Sequence, residues 1–272
     1  MVKVVARRWL GAGGCRVATY DRPMGEDEGS SAPGVARPAS AEFGGGRPAS
    51  PRLDYDGDGL TEEALLDTPY AQARAWVDDA VARAEVSRDV FEPLAISVAT
   101  VDGDGRPNVR TVLMRFLDER GPGFVTALTS TKGRELTRNS AVAASLTWPA
   151  MYRAIRFRGN AIEVEREEVE QYFDSRPWAS RISAWASQQS EPIGSRRELE
   201  AQYAARAAAF PDHGGDDDVP VPDFWGGFRI VPDEVEFWAG RRNRLHDRLV
   251  FTRVDEGDLG APASWEVHRR QP

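Results

Sequence analysis

The residues best suited to chemistry lie near the C-terminus, in the segment Arg244-Leu245-His246-Asp247-Arg248. This segment follows Phe237-Trp238-Ala239-Gly240, so two arginines, a histidine and a tryptophan are close together in the sequence. On an extended strand, Arg244 and His246 would share one face, because successive residues alternate sides. Such a face could bind a planar anion, since arginine offers a charged fork and histidine a donor or acceptor. A solvated strand with an ion pair to Asp247 explains the segment equally well.

Four other segments are rich in groups that bind phosphate. Residues 110–115 carry an arginine at each end, and the spacing places these two side chains on opposite faces of a regular strand. Ser130-Thr131-Lys132-Gly133-Arg134 opens a predicted helix, where free amides and the helix dipole favour an anion. Ser175-Arg176-Pro177 with Ser180, and Gln188-Gln189-Ser190, supply further donors. Each could be an ordinary cap or surface charge, but together they indicate one or two phosphorylated ligands.

Other kinds of site are disfavoured by the sequence. Residues 54–59 begin like a calcium loop, but its twelfth position is Leu65 and not the required glutamate. The three histidines, His213, His246 and His268, lack the spacing of a zinc site. There is no dinucleotide fingerprint, phosphate-binding glycine loop or nucleophile elbow. A net charge of −8 argues against general nucleic-acid binding.

Composition indicates one ordered domain with a tail. Of the 272 residues, 41% are hydrophobic, and residues 1–51 are rich in Gly, Pro, Ala and Arg without any hydrophobic period. We expect this part to be disordered and residues 52–272 to form the domain. The single cysteine, Cys15, excludes an internal disulfide and favours a cytoplasmic protein. We expect no membrane span and no signal peptide, because no apolar run is long enough.

The hydrophobic periods predict many short strands with interspersed helices, and hence a small barrel of the mainly-β, α+β class. Helices are predicted at residues 69–85, 131–139, 167–173 and 195–210. Thr68 and Ser195 are the expected N-caps, the latter with Glu198 three residues later. The predicted strands cover residues 95–101, 108–116, 123–129, 141–148, 155–164, 228–231, 235–238, 249–253 and 264–268.

Several long segments, in the same order, resemble the pyridoxamine/pyridoxine 5′-phosphate oxidase family. The resemblance runs from about residue 52 to Pro272 and includes the closing Trp265, Arg269 and Pro272. It implies an FMN-binding split β-barrel that works as a homodimer, with the flavin between subunits. The segments that carry it are residues 110–115, 129–136, 172–177, 184–190, 224–228, 235–238 and 244–248.

The resemblance also implies roles for individual residues. Positions that match the flavin site are Arg110, Thr111, Val112, Leu113, Met114, Arg115, Val125, Thr126, Lys132, Gln189, Ser190, Trp238 and Arg248. Positions that match the pocket for the substrate phosphate are Arg115, Tyr172, Arg176 and Ser180. Arg244 and His246 match catalytic groups over the substrate's pyridine ring, which we expect to orient it and stabilise charge. Arg52 and Tyr55 match a segment that closes on the substrate.

The chemistry implied is that of the flavin, whose N5 accepts a hydride from the C4′ carbon of the substrate. Pyridoxamine 5′-phosphate or pyridoxine 5′-phosphate would become pyridoxal 5′-phosphate, and molecular oxygen would reoxidise the flavin and give hydrogen peroxide. The protein would hold C4′ against N5 and exclude water.

This chain departs from the family pattern mainly on the flavin side. Thr131 replaces a frequent arginine, Val125 a common aromatic residue, and Ala154 a glutamine expected to hydrogen-bond the flavin. Arg115 stands in place of a lysine, and Arg270 in place of an apolar residue. We therefore expect weaker FMN binding with retained recognition of B6 phosphates. Two alternatives stay open: a related flavin oxidase of secondary metabolism, such as the phenazine-pathway enzymes, and a non-catalytic carrier of flavin or B6 phosphate.

Overall fold

The structure is a computed structural model and describes residues 54–272. The expected tail, residues 1–51, and the candidate residue Arg52 lie outside this range. Helices of the described residues are α1 (Pro69–Val86), α2 (Thr131–Arg138), α3 (Arg166–Asp174), α4 (Trp178–Ala186) and α5 (Arg196–Ala209). The strands are β1 (Ala95–Val101), β2 (Pro107–Leu113), β3 (Phe116–Asp118), β4 (Gly121–Ala127), β5 (Ala141–Trp148), β6 (Arg153–Glu163), β7 (Trp225–Ala239), β8 (Asp247–Arg253) and β9 (Trp265–Arg269).

These strands form one antiparallel sheet that curls into a half-barrel. Its order is β2-β1-β5-β6-β7-β4-β3, and β8 joins β7 to β9. The long strand β7 pairs with β6 on one side. On its other side it pairs first with β4, where Trp225 faces Ala127, and later with β8, where Ala239 faces Asp247. This shared strand splits the barrel, in agreement with the predicted mainly-β architecture flanked by helices.

The barrel interior is filled by alternate apolar side chains of its strands. Ile96, Phe157 and Phe237 are essentially inaccessible to solvent. Helix α1 covers one end of this core, and its Trp76 meets Phe237 edge-on at a centroid distance of 5.4 Å. The helix begins as predicted, because the Thr68 hydroxyl accepts a hydrogen bond from the Ala71 amide.

A second core lies under α3 and α4. It contains the buried residues Val169, Phe173, Ile182 and Trp225. Helix α4 was not predicted from the sequence. Its segment is short and follows a proline, and its tryptophans, serines and isoleucine are modest helix formers. The helix is stabilised mainly by burying Ile182 and Ala186.

Two strand predictions differ from the structure. The predicted strand 108–116 is interrupted at Met114 and Arg115, where the Met114 amide bonds Leu94 and the Arg115 amide bonds Gly123. The predicted strands 228–231 and 235–238 are both parts of β7. The chain between them stays in the sheet, because Pro232 lies at a register shift opposite Gly159, and a bulge is one of the few places where a sheet accepts proline.

No helix within residues 54–272 is long and apolar enough to cross a membrane.

Candidate active site

One group of candidate residues surrounds the N-terminus of α2, and we call Arg110, Thr126, Lys132 and Gln189 the α2 site. The Lys132 ammonium donates to the hydroxyls of Thr126 at 3.1 Å and Ser130 at 3.4 Å. The Thr126 hydroxyl donates to the Gln189 side-chain oxygen at 2.7 Å. Ser130 caps the helix by accepting from the Gly133 amide.

The electrostatics of the α2 site are set by the cations Arg110 and Lys132 and by the neighbouring carboxylate of Glu135. Burial and the charge of Arg110 lower the pKa of Lys132 from 10.5 to about 8, although Glu135 raises it. Arg110 donates to the Thr100 hydroxyl at 2.5 Å and to Glu135 at 3.0 Å. Burial opposes ionisation of Glu135, but hydrogen bonds from Thr100, Asn108 and Arg110 hold its pKa below the usual value. Glu135 was not predicted as a site residue. Its spacing of three residues from Lys132, which places both on one face of α2, could have identified it.

A second group, which we call the α4 site, contains Arg115, Tyr172, Arg176 and Ser180. The Tyr172 ring stacks on Trp225 with a centroid distance of 6.1 Å and an interplanar angle of 6°. The Arg176 guanidinium lies 4.8 Å above Trp225, and that of Arg115 lies 5.8 Å from the Tyr172 ring. Helix α4 begins directly after Arg176 and Pro177, and Ser180 is in its first turn.

Arg176 carries an unused hydrogen-bonding group. Among the residues described, its buried Nη1 atom is one of only two buried side-chain nitrogens or oxygens without a partner, the other being Arg181 Nε. Burial lowers the pKa of Arg176, Tyr172 raises it, and the cations Arg115 and Arg181 lower it. Arginine stays charged nonetheless. A half-buried cation with a free buried N–H group, beside the first turn of a helix, is therefore prepared for an anion.

A third group, which we call the β7 site, contains Tyr55, Trp238, Arg244 and His246 at the C-terminal end of β7. The His246 ring lies 4.8 Å from Trp238 and 5.3 Å from Tyr55, measured between centroids. Its Nδ1 accepts from the Arg241 amide at 3.1 Å, so the neutral ring carries its proton on Nε2. Burial and Arg244 lower the pKa of His246, against an opposing effect of Asp247.

The expectation that Arg244 and His246 lie on an extended strand is wrong. Arg244 ends a 3₁₀ turn, Arg242–Arg244, and β8 begins only at Asp247. Asn243 and Arg244 have φ angles of 57° and 62°, in the left-handed region that costs a non-glycine residue about 1 kcal/mol or more. The turn leaves Arg244 exposed.

Arg248 is held by a different set of contacts. It forms a two-pronged ion pair with the buried Glu236, at 3.0 and 2.8 Å, and donates to the Gln271 carbonyl. Arg270, the departure noted near the C-terminus, bonds the same Glu236 and also Glu234. The charge of Arg270 is therefore compensated locally.

The remaining candidates lie on β2, at its end, on β4 and in the turn after α4. Thr111 is exposed on β2, and Met114 is buried at its end. Val125 packs against the second core from β4. Ser190 is exposed, with a φ of 77°. The other members, Val112 and Leu113, are half-buried on β2.

Within one protomer the β7 site is separated from the α2 and α4 sites by the length of β7. The α2 and α4 sites adjoin the start of β7, because Trp225 pairs with Ala127 of β4 and stacks on Tyr172. The β7 site adjoins its other end at Trp238, thirteen residues later. That separation is up to about 40 Å along a strand. A ligand the size of a vitamin B6 phosphate cannot contact both ends in the same chain.

Comparisons with known proteins identify the family. A family model described as pyridoxamine 5′-phosphate oxidase matches residues 81–208. Another, described as the pyridoxine 5′-phosphate oxidase C-terminal dimerisation region, matches residues 225–272 and supports a homodimer.

Curated relatives named pyridoxine/pyridoxamine 5′-phosphate oxidase match over nearly their whole length. The protein from Kineococcus radiotolerans is 44% identical over 83% of this chain and 99% of its own. The protein from Burkholderia multivorans is 43% identical over 81% of this chain and 97% of its own.

Solved structures give the same picture. PhzG from Burkholderia lata, in complex with tetrahydrophenazine-1-carboxylic acid, has a TM-score of 0.68 and 31% identity, over 79% of this chain and 99% of its own. A pyridoxamine 5′-phosphate oxidase-related, FMN-binding protein from Nostoc punctiforme shares the fold at 16% identity, with a TM-score of 0.57 over 76% of this chain and 100% of its own. From these matches and its split-barrel fold, the chain belongs to the pyridoxamine/pyridoxine 5′-phosphate oxidase family.

Proposed function

We propose that this protein is an FMN-dependent oxidase that converts pyridoxamine 5′-phosphate, pyridoxine 5′-phosphate or both to pyridoxal 5′-phosphate. Molecular oxygen is the electron acceptor and is reduced to hydrogen peroxide. With pyridoxamine 5′-phosphate the oxidation gives an imine, which water hydrolyses to the aldehyde with release of ammonia. The single observation that carries the proposal is Arg176, whose buried Nη1 atom has no partner within the described residues. A phosphate ester would satisfy it with a charge-assisted hydrogen bond.

The α4 site suits the substrate phosphate in three ways. Two cations converge there, since Arg115 lies over Tyr172 and Arg176 over Trp225. Free amides at the start of α4 add partial positive charge. The stacked rings of Tyr172 and Trp225 keep the guanidinium out of water, which strengthens its attraction for an anion.

The α2 site suits the phosphate of FMN. Arg110, Lys132 and the Thr126 hydroxyl would hold it, next to the first amides of α2. The Gln189-Ser190 pair would contact the rest of the flavin, together with Trp238 from the β7 site of the other protomer. When bound, FMN supplies the hydride-accepting atom that the described residues lack.

The β7 site suits the ring of the substrate. A neutral His246 presents Nε2–H as a donor, because Nδ1 is occupied by the Arg241 amide. Arg244 adds a positive charge that orients the ring and stabilises negative charge on it. Tyr55, in contact with His246 and Trp238, closes this end and excludes water.

A complete site requires two copies of the chain. The α4 site of one protomer has to face the β7 site of its partner, because the two lie at opposite ends of β7. The match to a dimerisation region supports this arrangement. A reducing cytoplasm suits a chain with a single cysteine.

The proposal is tested by reconstituting the protein with FMN and recording its visible spectrum without oxygen. Addition of pyridoxine or pyridoxamine 5′-phosphate should bleach the yellow flavin band, and oxygen should restore it with one peroxide per pyridoxal phosphate. Binding of both ligands without bleaching would identify a non-catalytic carrier and refute the proposal.

The Arg176→Gln variant tests whether the unpaired Arg176 guanidinium binds the substrate phosphate. Loss of a charge-assisted hydrogen bond should raise KM for the B6 phosphates about 10- to 100-fold. FMN affinity should not change, because the α2 site is intact. Arg197→Gln, an exposed arginine on α5, is the matched control. An unchanged KM in Arg176→Gln would show that the substrate phosphate binds elsewhere.

A phenazine-type oxidase is the second candidate, favoured by the similarity to PhzG. The compound in that PhzG complex, tetrahydrophenazine-1-carboxylic acid, has no phosphate, so a substrate of this kind would leave the phosphate pocket at Arg176 unused. Bleaching of the flavin by a reduced phenazine carboxylic acid, and not by either B6 phosphate, would establish this candidate instead.

A further inference from the structure

Glu135 is a buried carboxylate bonded to Arg110 of the α2 site, and the proposed function leaves it without a role. Its residue is 8% exposed. It accepts hydrogen bonds from the Thr100 hydroxyl, from Asn108 Nδ2 at 3.1 Å and from Arg110 Nη2 at 3.0 Å. These three hydrogen bonds hold the carboxylate against Arg110, where it is shielded from solvent.

Glu135 changes the net charge that the α2 site presents to a ligand. Arg110 and a protonated Lys132 contribute two positive charges, and Glu135 cancels one of them. A phosphate monoester carries about −1.5 to −2 charges at pH 7. The site is therefore less cationic than its phosphate ligand is anionic, and Glu135 is the cause.

Glu135 also fixes the geometry of Arg110. One guanidinium nitrogen bonds the Thr100 hydroxyl and the Val98 carbonyl, and the other bonds Glu135. These contacts hold the planar group in one orientation and leave its remaining N–H groups for a ligand. Since Glu135 would act through Arg110, it is a positioning residue.

We propose that Glu135 sets the affinity of the α2 site for the phosphate of FMN, holding Arg110 in place while its negative charge weakens phosphate binding. This inference rests on the proposed function, because it takes FMN as the ligand of the α2 site. It adds a structural cause to the expectation of weak FMN binding, which otherwise rests on the replacements at Thr131, Val125 and Ala154.

The test is a titration of apo-protein with FMN, followed by flavin fluorescence, with riboflavin titrated in parallel. Glu135→Gln keeps the acceptor oxygen but removes the charge, so it should bind FMN about five- to tenfold more tightly. Riboflavin, which has no phosphate, should bind as it does to the wild type. Glu135→Asp keeps the charge but withdraws it from Arg110, so its FMN affinity should fall below that of the wild type.

Asp78→Asn is the matched control, since it removes the same charge from an exposed ion pair with Arg74 on α1. It should leave both affinities unchanged. Unaltered or weaker FMN binding by Glu135→Gln, or an equal gain for riboflavin, overturns the inference while leaving the proposed function intact. Failure of the wild type to bind FMN overturns both.

Discussion

The pKa of Lys132 makes FMN binding depend on pH in a range that is easy to measure. Its ammonium contacts Thr126 and Ser130 in the α2 site, and burial and Arg110 lower its pKa to about 8. A bound phosphate favours the charged form and raises this pKa again. Binding therefore takes up a proton above pH 8, and FMN affinity should fall as the pH rises through that value.

The size of the effect follows from the titration. Lys132 is about 90% protonated at pH 7 and about 10% at pH 9 if its pKa is about 8. The dissociation constant of FMN should therefore rise about eight- to tenfold between pH 7 and pH 9. The phosphate itself does not titrate there, because its second pKa is about 6.

The stability of the apo-protein should change in the opposite direction. Lys132 has a pKa of about 8 in the folded protein and an ordinary value of 10.5, so the unfolded chain binds more protons between these values. The free energy of unfolding should rise with pH in this window, by up to about 3 kcal/mol at 1.4 kcal/mol per pH unit. Below pH 8 the whole cost of burying the ammonium is present.

The assay is FMN titration of apo-protein at pH 7, 8 and 9 and constant ionic strength, beside urea unfolding at the same pH values. Lys132→Met, which retains the length of the side chain without its charge, should bind FMN weakly and without this pH dependence. A dissociation constant that is flat from pH 7 to 9 in the wild type, or that rises equally in Lys132→Met, would refute the reasoning.

Two further predictions concern a flavin contact and the fold. Ala154 faces Trp238 across β6 and β7, so Ala154→Gln should restore a hydrogen bond of about 1 kcal/mol and tighten FMN binding about fivefold in the same titration. Arg229, 2% exposed, bonds Asp118 and Glu168, and Arg229→Met should lower the free energy of unfolding by about 1–3 kcal/mol in urea, because these two carboxylates then keep only the exposed Arg120 as a cationic partner. An Arg229→Met variant as stable as the wild type would show that this ion pair contributes nothing net.

Local signals predicted much of the fold. The strands β1 and β5 have the predicted bounds, because both alternate apolar residues between clear turns. The caps at Thr68 and Ser195 formed as predicted, the latter with the Glu198 amide donating to the serine hydroxyl. Such features depend only on residues three or four apart, so they can be found without tertiary information.

Features that depend on distant partners were not predictable. The 3₁₀ turn Arg242–Arg244 is held by contacts to residues more than 180 positions away. Arg242 bonds Asp56, and Arg241 bonds the Asp58 carbonyl. The bond between Arg110 and Glu135 likewise joins β2 to α2. No spacing pattern in the sequence reveals such pairs.

The register of β7 has a consequence for how this sequence can change over generations. Surface loops accept insertions and deletions readily. Inside β7, one added residue between Trp225 and Trp238 would turn every following side chain to the opposite face. Asp233 is already one such extra residue, because Glu234 pairs with Arg158 while Pro232 pairs with Gly159, and this bulge fixes the register on either side of it. A side chain at Gly159 would disturb the bulge, since an added Cβ would lie 2.2 Å from the Val231 oxygen. The number of residues in this strand is therefore as constrained as the identity of any of them.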